Sequence, residues 1–259
     1  MELVLSEGQY QLVYNAFSFV VAAMFAAGLF FILSRNRISD RHRMAVTLST
    51  LVVFIAGYHY FRIFGSWEGA FTETAAGFVQ SGAFNEGYRY ADWLLTVPLL
   101  LAELVLLLGL ARSRSTSLIT KLGVAAVLMI ALGYPGEIAT QTSTKWAWWA
   151  AAMVPFVYIL WVLFGEFGRE LRKMSSRAAG IIRGMRTLLL ASWSVYPIAF
   201  LVPLMGLDAT TAEVVRQVGY SVADVIAKPV FGLMLFAAAR IMTEEEAAMP
   251  KVELATSDN

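Results

Sequence analysis

Seven apolar stretches, near residues 11–33, 44–64, 90–110, 117–138, 146–167, 186–205 and 214–240, constrain this chain more than anything else in it. Each is about 20 residues or longer, the length an α-helix needs to cross roughly 30 Å of hydrocarbon. Within a bilayer every backbone N–H and C=O must find its partner in the protein, which leaves helices or a closed barrel. Long unbroken apolar runs, rather than short alternating ones, select helices. The expected fold is therefore all-α, a seven-helix transmembrane bundle over residues 1–240. Residues 241–259, with Glu244, Glu245, Glu246 and Asp258, read as a solvated acidic tail, partly disordered. MELVLSEGQY at the start shows neither a basic n-region nor a small-residue cleavage pattern, so helix one is expected to serve as the insertion signal.

Basic residues orient the bundle. Arg35, Arg37, Arg41 and Arg43 lie between helices one and two, Arg112 and Arg114 between three and four, and Arg169, Arg172, Lys173, Arg177 and Arg183 between five and six. Loops rich in Arg and Lys stay cytoplasmic. The alternate loops carry Glu68, Glu73, Glu86 and Asp208, with Lys145 as the main basic exception, so the amino terminus is expected outside and the carboxyl terminus in the cytoplasm of a multi-pass cell-membrane protein. The chain has no cysteine, which excludes disulfides, thiol catalysis and thiolate metal sites, and two histidines alone cannot build a multi-histidine metal centre. No phosphate-binding glycine loop, internal repeat or basic nucleic-acid module is present in the sequence. The partners expected are membrane lipid and protons, with no nucleic acid and no metal.

Ionisable residues inside such helices cost about 2.5 to 3.5 kcal/mol each near the bilayer centre on insertion scales, so each demands a partner, a cavity or a function. His59, Arg62, Arg89, Asp92, Glu103, Glu137, Asp224 and Lys228 are the candidates. Arg62 and Glu137 fall near helix ends, where snorkelling to the interface is the simpler expectation. In RYADWLLTVPLLLAE, residues 89–103, the spacing of Arg89, Asp92, Thr96 and Glu103 makes one polar stripe on helix three. At 1.5 Å per residue Asp92 and Glu103 stand roughly 16 Å apart along the axis, too far to share a proton directly. In SVADVIAKPVFGL on helix seven, Lys228 falls near mid-membrane with Asp224 one turn further out. Lys228 thus has two carboxylates on one side and one on the other.

Two ion pairs, Lys228 with Asp224 and Arg89 with Asp92, could simply join helices, but buried pairs rarely offset their desolvation and the pairing leaves Glu103 unexplained. A lysine joined to an aldehyde as a Schiff base would instead place a titratable imine and a chromophore at that depth. Trp93, and Trp193, Tyr196 and Phe200 in WSVYPIAF with Pro197 as a kink, suit a slender conjugated ligand, although aromatics in a membrane core are more often packing.

RYADWLLTVPLLLAE, WSVYP and DVIAKPVFG together resemble helices three, six and seven of microbial rhodopsins, and the resemblance extends over all seven helices. It implies all-trans retinal bound as a protonated Schiff base to Lys228. The aspartate, threonine and glutamate at Asp92, Thr96 and Glu103 resemble the proteorhodopsin and xanthorhodopsin branch of light-driven outward proton pumps. Sodium pumps, chloride pumps and sensory members differ there. By this resemblance Asp92 is proton acceptor and counterion, Asp224 the second counterion, and Glu103 the proton donor. Arg89 stabilises the two carboxylates, and Thr96 hydrogen-bonds Asp92. His59, in GYHYFRIF, resembles the helix-two histidine that bonds to the primary carboxylate. Tyr90, Trp93, Leu100, Met129, Gly133, Trp149, Trp193, Tyr196 and Phe200 are the implied retinal contacts. Met129 and Gly133 read equally well as plain packing.

Three positions mark the subtype. Arg216 stands where archaeal-type pumps carry half of an acidic release pair, which counts against that device here, although Glu213 is nearby. Trp149 stands where antenna-bearing members have a helix-five glycine, which counts against a carotenoid antenna. Leu100 matches the green-absorbing type. The family resemblance also implies a homo-oligomer, a trimer, pentamer or hexamer. The main alternative function is a photosensor signalling through a partner protein; a colourless seven-helix transporter is another. Neither reading makes the chain an enzyme in the ordinary sense.

Overall fold

Seven helical spans, each long and apolar enough to cross a membrane, form the bundle in the computed structural model, which describes residues 3–248. They are α1 (Glu7–Ser34), α2 (Asp40–Ala70), α3 (Gly87–Leu107), α4 (Arg112–Ile138), α5 (Thr142–Leu171), α6 (Ser176–Leu201) and a composite seventh span. The last consists of α7 (Ala209–Val225), a π-helical turn (Ile226–Val230) and α8 (Phe231–Ala248). Most helices overrun their apolar stretches because polar caps outside the hydrocarbon set the ends. Ser6 and Gln9 form a reciprocal capping box on α1, and Asp208 accepts from the Thr211 amide at 2.9 Å to start α7. That amide also holds the Asp208 carboxyl below the usual carboxylate range. α3 and α6 instead stop before their apolar stretches do; after α3, Gly109 turns the chain with a φ of +59°.

Which face turns inward is set by side-chain spacing. On α1, Tyr10, Val13, Phe17, Val20, Met24, Ala27 and Phe31 are buried, in alternating steps of three and four residues, and form a seam against the bundle. Phe19, Leu29 and Leu33 are exposed on the other side, as a lipid-facing surface requires. Since lipid is as apolar as leucine, close packing holds such helices together. At Gly232 an added Cβ would fall 2.6 Å from the Phe31 ring, so glycine is what allows α8 to approach α1.

A small antiparallel sheet that the sequence reading did not anticipate closes one end of the bundle. β2 (Phe71–Thr74) and β3 (Gly77–Gln80) form a hairpin between α2 and α3, and β1 (Val4–Leu5) adds to its edge in the order β1-β3-β2. Gly77 has a φ of +115°, and a Cβ there would meet the Leu5 carbonyl oxygen at 2.5 Å. Phe78 stacks on Tyr10 at 3.9 Å, which fastens the sheet to α1.

At the opposite end, α8 stays helical to Ala248, past residue 241 where the acidic tail was expected to begin. Its acidic residues are docked on the basic loops. Ser39 donates to Glu246 at 2.9 Å, Ser175 donates to Glu245 at 2.6 Å, and Glu244 pairs with Arg177 and Arg240. The remaining tail, residues 249–259, lies outside the described residues.

Candidate functional site

Pro229 explains the local shape at Lys228. It has no N–H to bond back one helical turn, and the chain there widens into the π-helical turn that carries the lysine. Lys228 is buried, and its Nζ contacts Asp224 Oδ1 and lies 3.2 Å from Asp92 Oδ2. The two carboxylates are held differently. Asp224 accepts from Tyr60 at 2.6 Å and from Tyr196 at 2.8 Å, whereas both Asp92 oxygens are buried without a hydrogen-bond partner.

From Lys228 a cavity of about 100 Å³ runs between α3, α4, α5 and α6. Every expected contact residue lines it: Tyr90, Trp93, Leu100, Met129, Gly133, Trp149, Trp193, Tyr196, Phe200 and Lys228. Trp93 meets Tyr196 edge-on at 5.0 Å, and the walls are almost wholly apolar. An apolar space ending at one amine, with orphaned carboxylate oxygens beside it, fits a conjugated aldehyde joined to Lys228 and charged at the nitrogen. Pro197, expected as a kink, lines the cavity too, as do Tyr220 and Phe156, which were not singled out from sequence. Trp149 stands at the α5 side and donates to the Pro197 carbonyl at 3.1 Å.

Toward the hairpin the site continues as a polar network. Arg89 does not pair directly with Asp92 or Asp224 as expected. It donates to the Tyr60 hydroxyl at 3.0 Å, and Tyr60 in turn donates to Asp224, so the arginine acts through a tyrosine that sequence reasoning missed. Its other end reaches Gln217, with Glu86 Oε2 3.5 Å away. Glu137 is corrected too. It is buried rather than snorkelling, bonded to Arg216 and accepting from Tyr90 at 3.0 Å. Arg216 also gathers Glu86 at 2.7 Å and Glu213 at 2.6 Å. Burial raises the Glu86 carboxyl above its ordinary range, against the opposing pull of Arg216 and Arg89. Arg62, as expected, is exposed and bonds to Tyr58 and Tyr88.

Two further contacts differ from expectation. Thr96 donates to the Asp92 backbone carbonyl at 2.9 Å, the usual route for a threonine inside a helix, and not to the carboxylate. His59 is half-buried and bonds through Nδ1 to the Ile55 carbonyl of its own helix at 2.9 Å, an acceptor one turn away that leaves Asp92 unbonded.

On the other side of Lys228 the surroundings are dry. Glu103 is fully buried, and its Oε2 accepts from Ser49 on α2 at 2.8 Å while Oε1 has no partner. Leu100, Leu101, Leu104 and Leu107 are buried around it on α3. Among the described residues Glu103 takes part in no salt bridge, and no cluster of three or more potential ligands is placed to hold a metal ion.

Comparison with known proteins adds family evidence to this geometry. Residues 12–242 match the model of the bacteriorhodopsin-like protein family. A green-light absorbing proteorhodopsin from Gamma-proteobacterium EBAC31A08 is 30% identical over 222 residues, 85% of this chain and 84% of that protein. The crystal structure of thermophilic rhodopsin superposes with a TM-score of 0.91 at 47% identity, covering 95% of this chain and 99% of the other. Xanthorhodopsin, described as a light-driven ion pump with dual chromophore, gives 0.90 at 45% identity over the same shares.

Proposed function

The chain belongs to the bacteriorhodopsin-like family, as a microbial rhodopsin of the proteorhodopsin and xanthorhodopsin branch, and on that premise we propose that it is an outward proton pump working through Lys228, Asp92 and Glu103. At family level it is a light-driven proton pump in the cell membrane. The observation that carries the finer reading is Glu103, buried on the opposite side of Lys228 from both aspartates.

Retinal, bound at Lys228, supplies light absorption and a nitrogen that carries one proton. Asp224 already accepts two tyrosine hydroxyls and keeps its negative charge. Asp92 has no such donors, lies 3.2 Å from Nζ and is therefore the carboxylate that takes the proton. Glu103, with one serine as partner in an apolar surrounding, holds a proton in the resting protein and returns it to Nζ from the other side. Arg89 and Tyr60 steady the negative charge on Asp224 and connect it to the hairpin-end carboxylates. Arginines at 35, 37, 41, 43, 112 and 114 lie at the Glu103 end, which supports that end facing the cytoplasm and the hairpin facing outward.

Leu100 on the cavity wall supports green absorption. The Trp149 indole at the α5 side supports a single chromophore, in contrast with the dual chromophore named for xanthorhodopsin. The exposed apolar helix faces leave room for a trimer, pentamer or hexamer in lipid.

Illuminated cells making the retinal-bound protein should acidify their medium, and an uncoupler should abolish the change. A coloured protein giving no light-induced pH change would replace the pump by a photosensor.

A further inference from the structure

His42 is the buried titratable group that this mechanism does not use. It sits in the first turn of α2, at the Glu103 end of the bundle, and is fully buried. Its Nε2 lies 3.1 Å from Glu246 Oε1 on α8. Its Nδ1 is buried without a hydrogen-bond partner, and the ring lies beside the Leu107 backbone, one turn beyond Glu103 on α3. Seven residues further along α2, on the same face, Ser49 donates to Glu103 at 2.8 Å. The rise between His42 and Ser49 is about 10 Å, which two or three water molecules can bridge. Val46, on that face between them, is fully buried, so the gap is closed by an apolar layer in this state.

We propose that His42 and Glu246 form the cytoplasmic proton-uptake station that reloads Glu103. The inference rests on the pump reading above and supplies the step it leaves open. Glu246 is partly exposed, and Arg41, Ser39 and His42 all point to its carboxylate, so it can meet solvent while touching a buried base. The charged groups facing His42 are Glu246 from α8 and Arg41 from its own helix, with the Leu107 backbone from α3. Imidazole is the side chain whose ordinary protonation falls nearest neutrality.

The transfer balances as follows. A proton from the cytoplasm binds the Glu246 carboxylate and passes to His42 Nε2, giving an imidazolium. The imidazolium releases its Nδ1 proton, through water admitted past Val46, to a Glu103 carboxylate that has given up its own proton. Glu103 becomes neutral again and the ring is left neutral with its proton on Nε2; loss of that proton to the Glu246 carboxylate or water, with gain of one from water at Nδ1, restores the starting tautomer for the next cycle.

The test uses the full-length, retinal-bound protein in lipid, comparing wild type with His42→Gln and Glu246→Gln. Flash-induced proton uptake, read with a pH-indicator dye, should slow about tenfold or more in His42→Gln. The wild-type dependence of uptake on pH near neutrality should flatten in that variant, and added imidazole should restore speed. In the dark, nitrogen NMR of the His42 ring should show a protonation step that moves in Glu246→Gln, a signal a purely structural clamp would not give. Unchanged uptake in correctly coloured His42→Gln, or a ring that keeps one protonation state through pH 5 to 9, would overturn the proposal. If wild type itself moves no protons in light, the pump reading fails instead, and the two failures are separable.

Discussion

The two halves of the bundle, on either side of Lys228, are built on opposite principles. Toward the hairpin, Asp224, Tyr60, Arg89, Gln217, Glu86, Arg216, Glu137 and Glu213 form a connected chain of hydrogen bonds and ion pairs. Toward the other end Glu103 and Ser49 stand alone among leucines. A polar network conducts protons by short shifts and stays set, while an isolated carboxyl in an apolar layer can exchange only when that layer opens. On the proposed pump reading, this contrast would give transport a direction, with the hairpin side kept wired and the Glu103 side connected only intermittently.

Substitutions can break this contrast from either side. Lys228→Ala, which removes the point where the halves meet, should abolish covalent pigment, and a retinal-reconstituted variant that still absorbed visible light through a protein bond would contradict the site. Glu103→Gln empties the dry half of its proton; reloading at Nζ should slow by about 100-fold with colour nearly unchanged. Flash spectroscopy reads both, and wild-type decay kinetics in that variant would return the dry half to mere packing. Tyr60→Phe cuts the wired half at the link between Arg89 and Asp224. We expect a loss of about 1 to 3 kcal/mol from the buried partners left unmatched, together with a shifted pigment spectrum, while the Glu103 kinetics stay close to wild type. Thermal bleaching and absorption spectra check that separation.

The smallest effect concerns pH. Because burial raises Glu86, its contribution to folding is fully present below the ordinary carboxylate range and fades as pH rises through its folded value. Infrared titration with Glu86→Gln as reference should show it gaining its proton at a higher pH than an ordinary glutamate does. Protonation at or below the ordinary value would mean that Arg216 and Arg89 outweigh burial.

Sequence spacing exposed Lys228, Asp92, Glu103 and Asp224 because a charge in a membrane helix is costly enough to stand out. The cavity contacts came instead from the resemblance to microbial rhodopsins, and every one of them lines the cavity wall. Spacing failed where partner and rotation about the helix axis decide the role. Glu137 read as an interfacial residue because depth alone says nothing about Arg216 across the bundle. Tyr60 was passed over, since nothing near it in sequence reveals an aspartate 164 positions away. The hairpin was hidden by strands of four residues, too short for an alternating pattern to register. His59 and Thr96 were assigned to the Asp92 carboxylate, yet each finds a carbonyl of its own helix one turn away. Acidic residues 244–246 suggested a free tail because the basic loops they dock on are distant in sequence.

The π-helical turn also makes the seventh span a jointed rod rather than a single beam. Hydrogen bonding is already loosened by one residue at Ile226–Val230, so α8 can tilt about the lysine while α7 keeps its place against the hairpin-end carboxylates. On the proposed pump reading, a joint at that point would carry displacement at Lys228 to the dry half with little disturbance of the wired one.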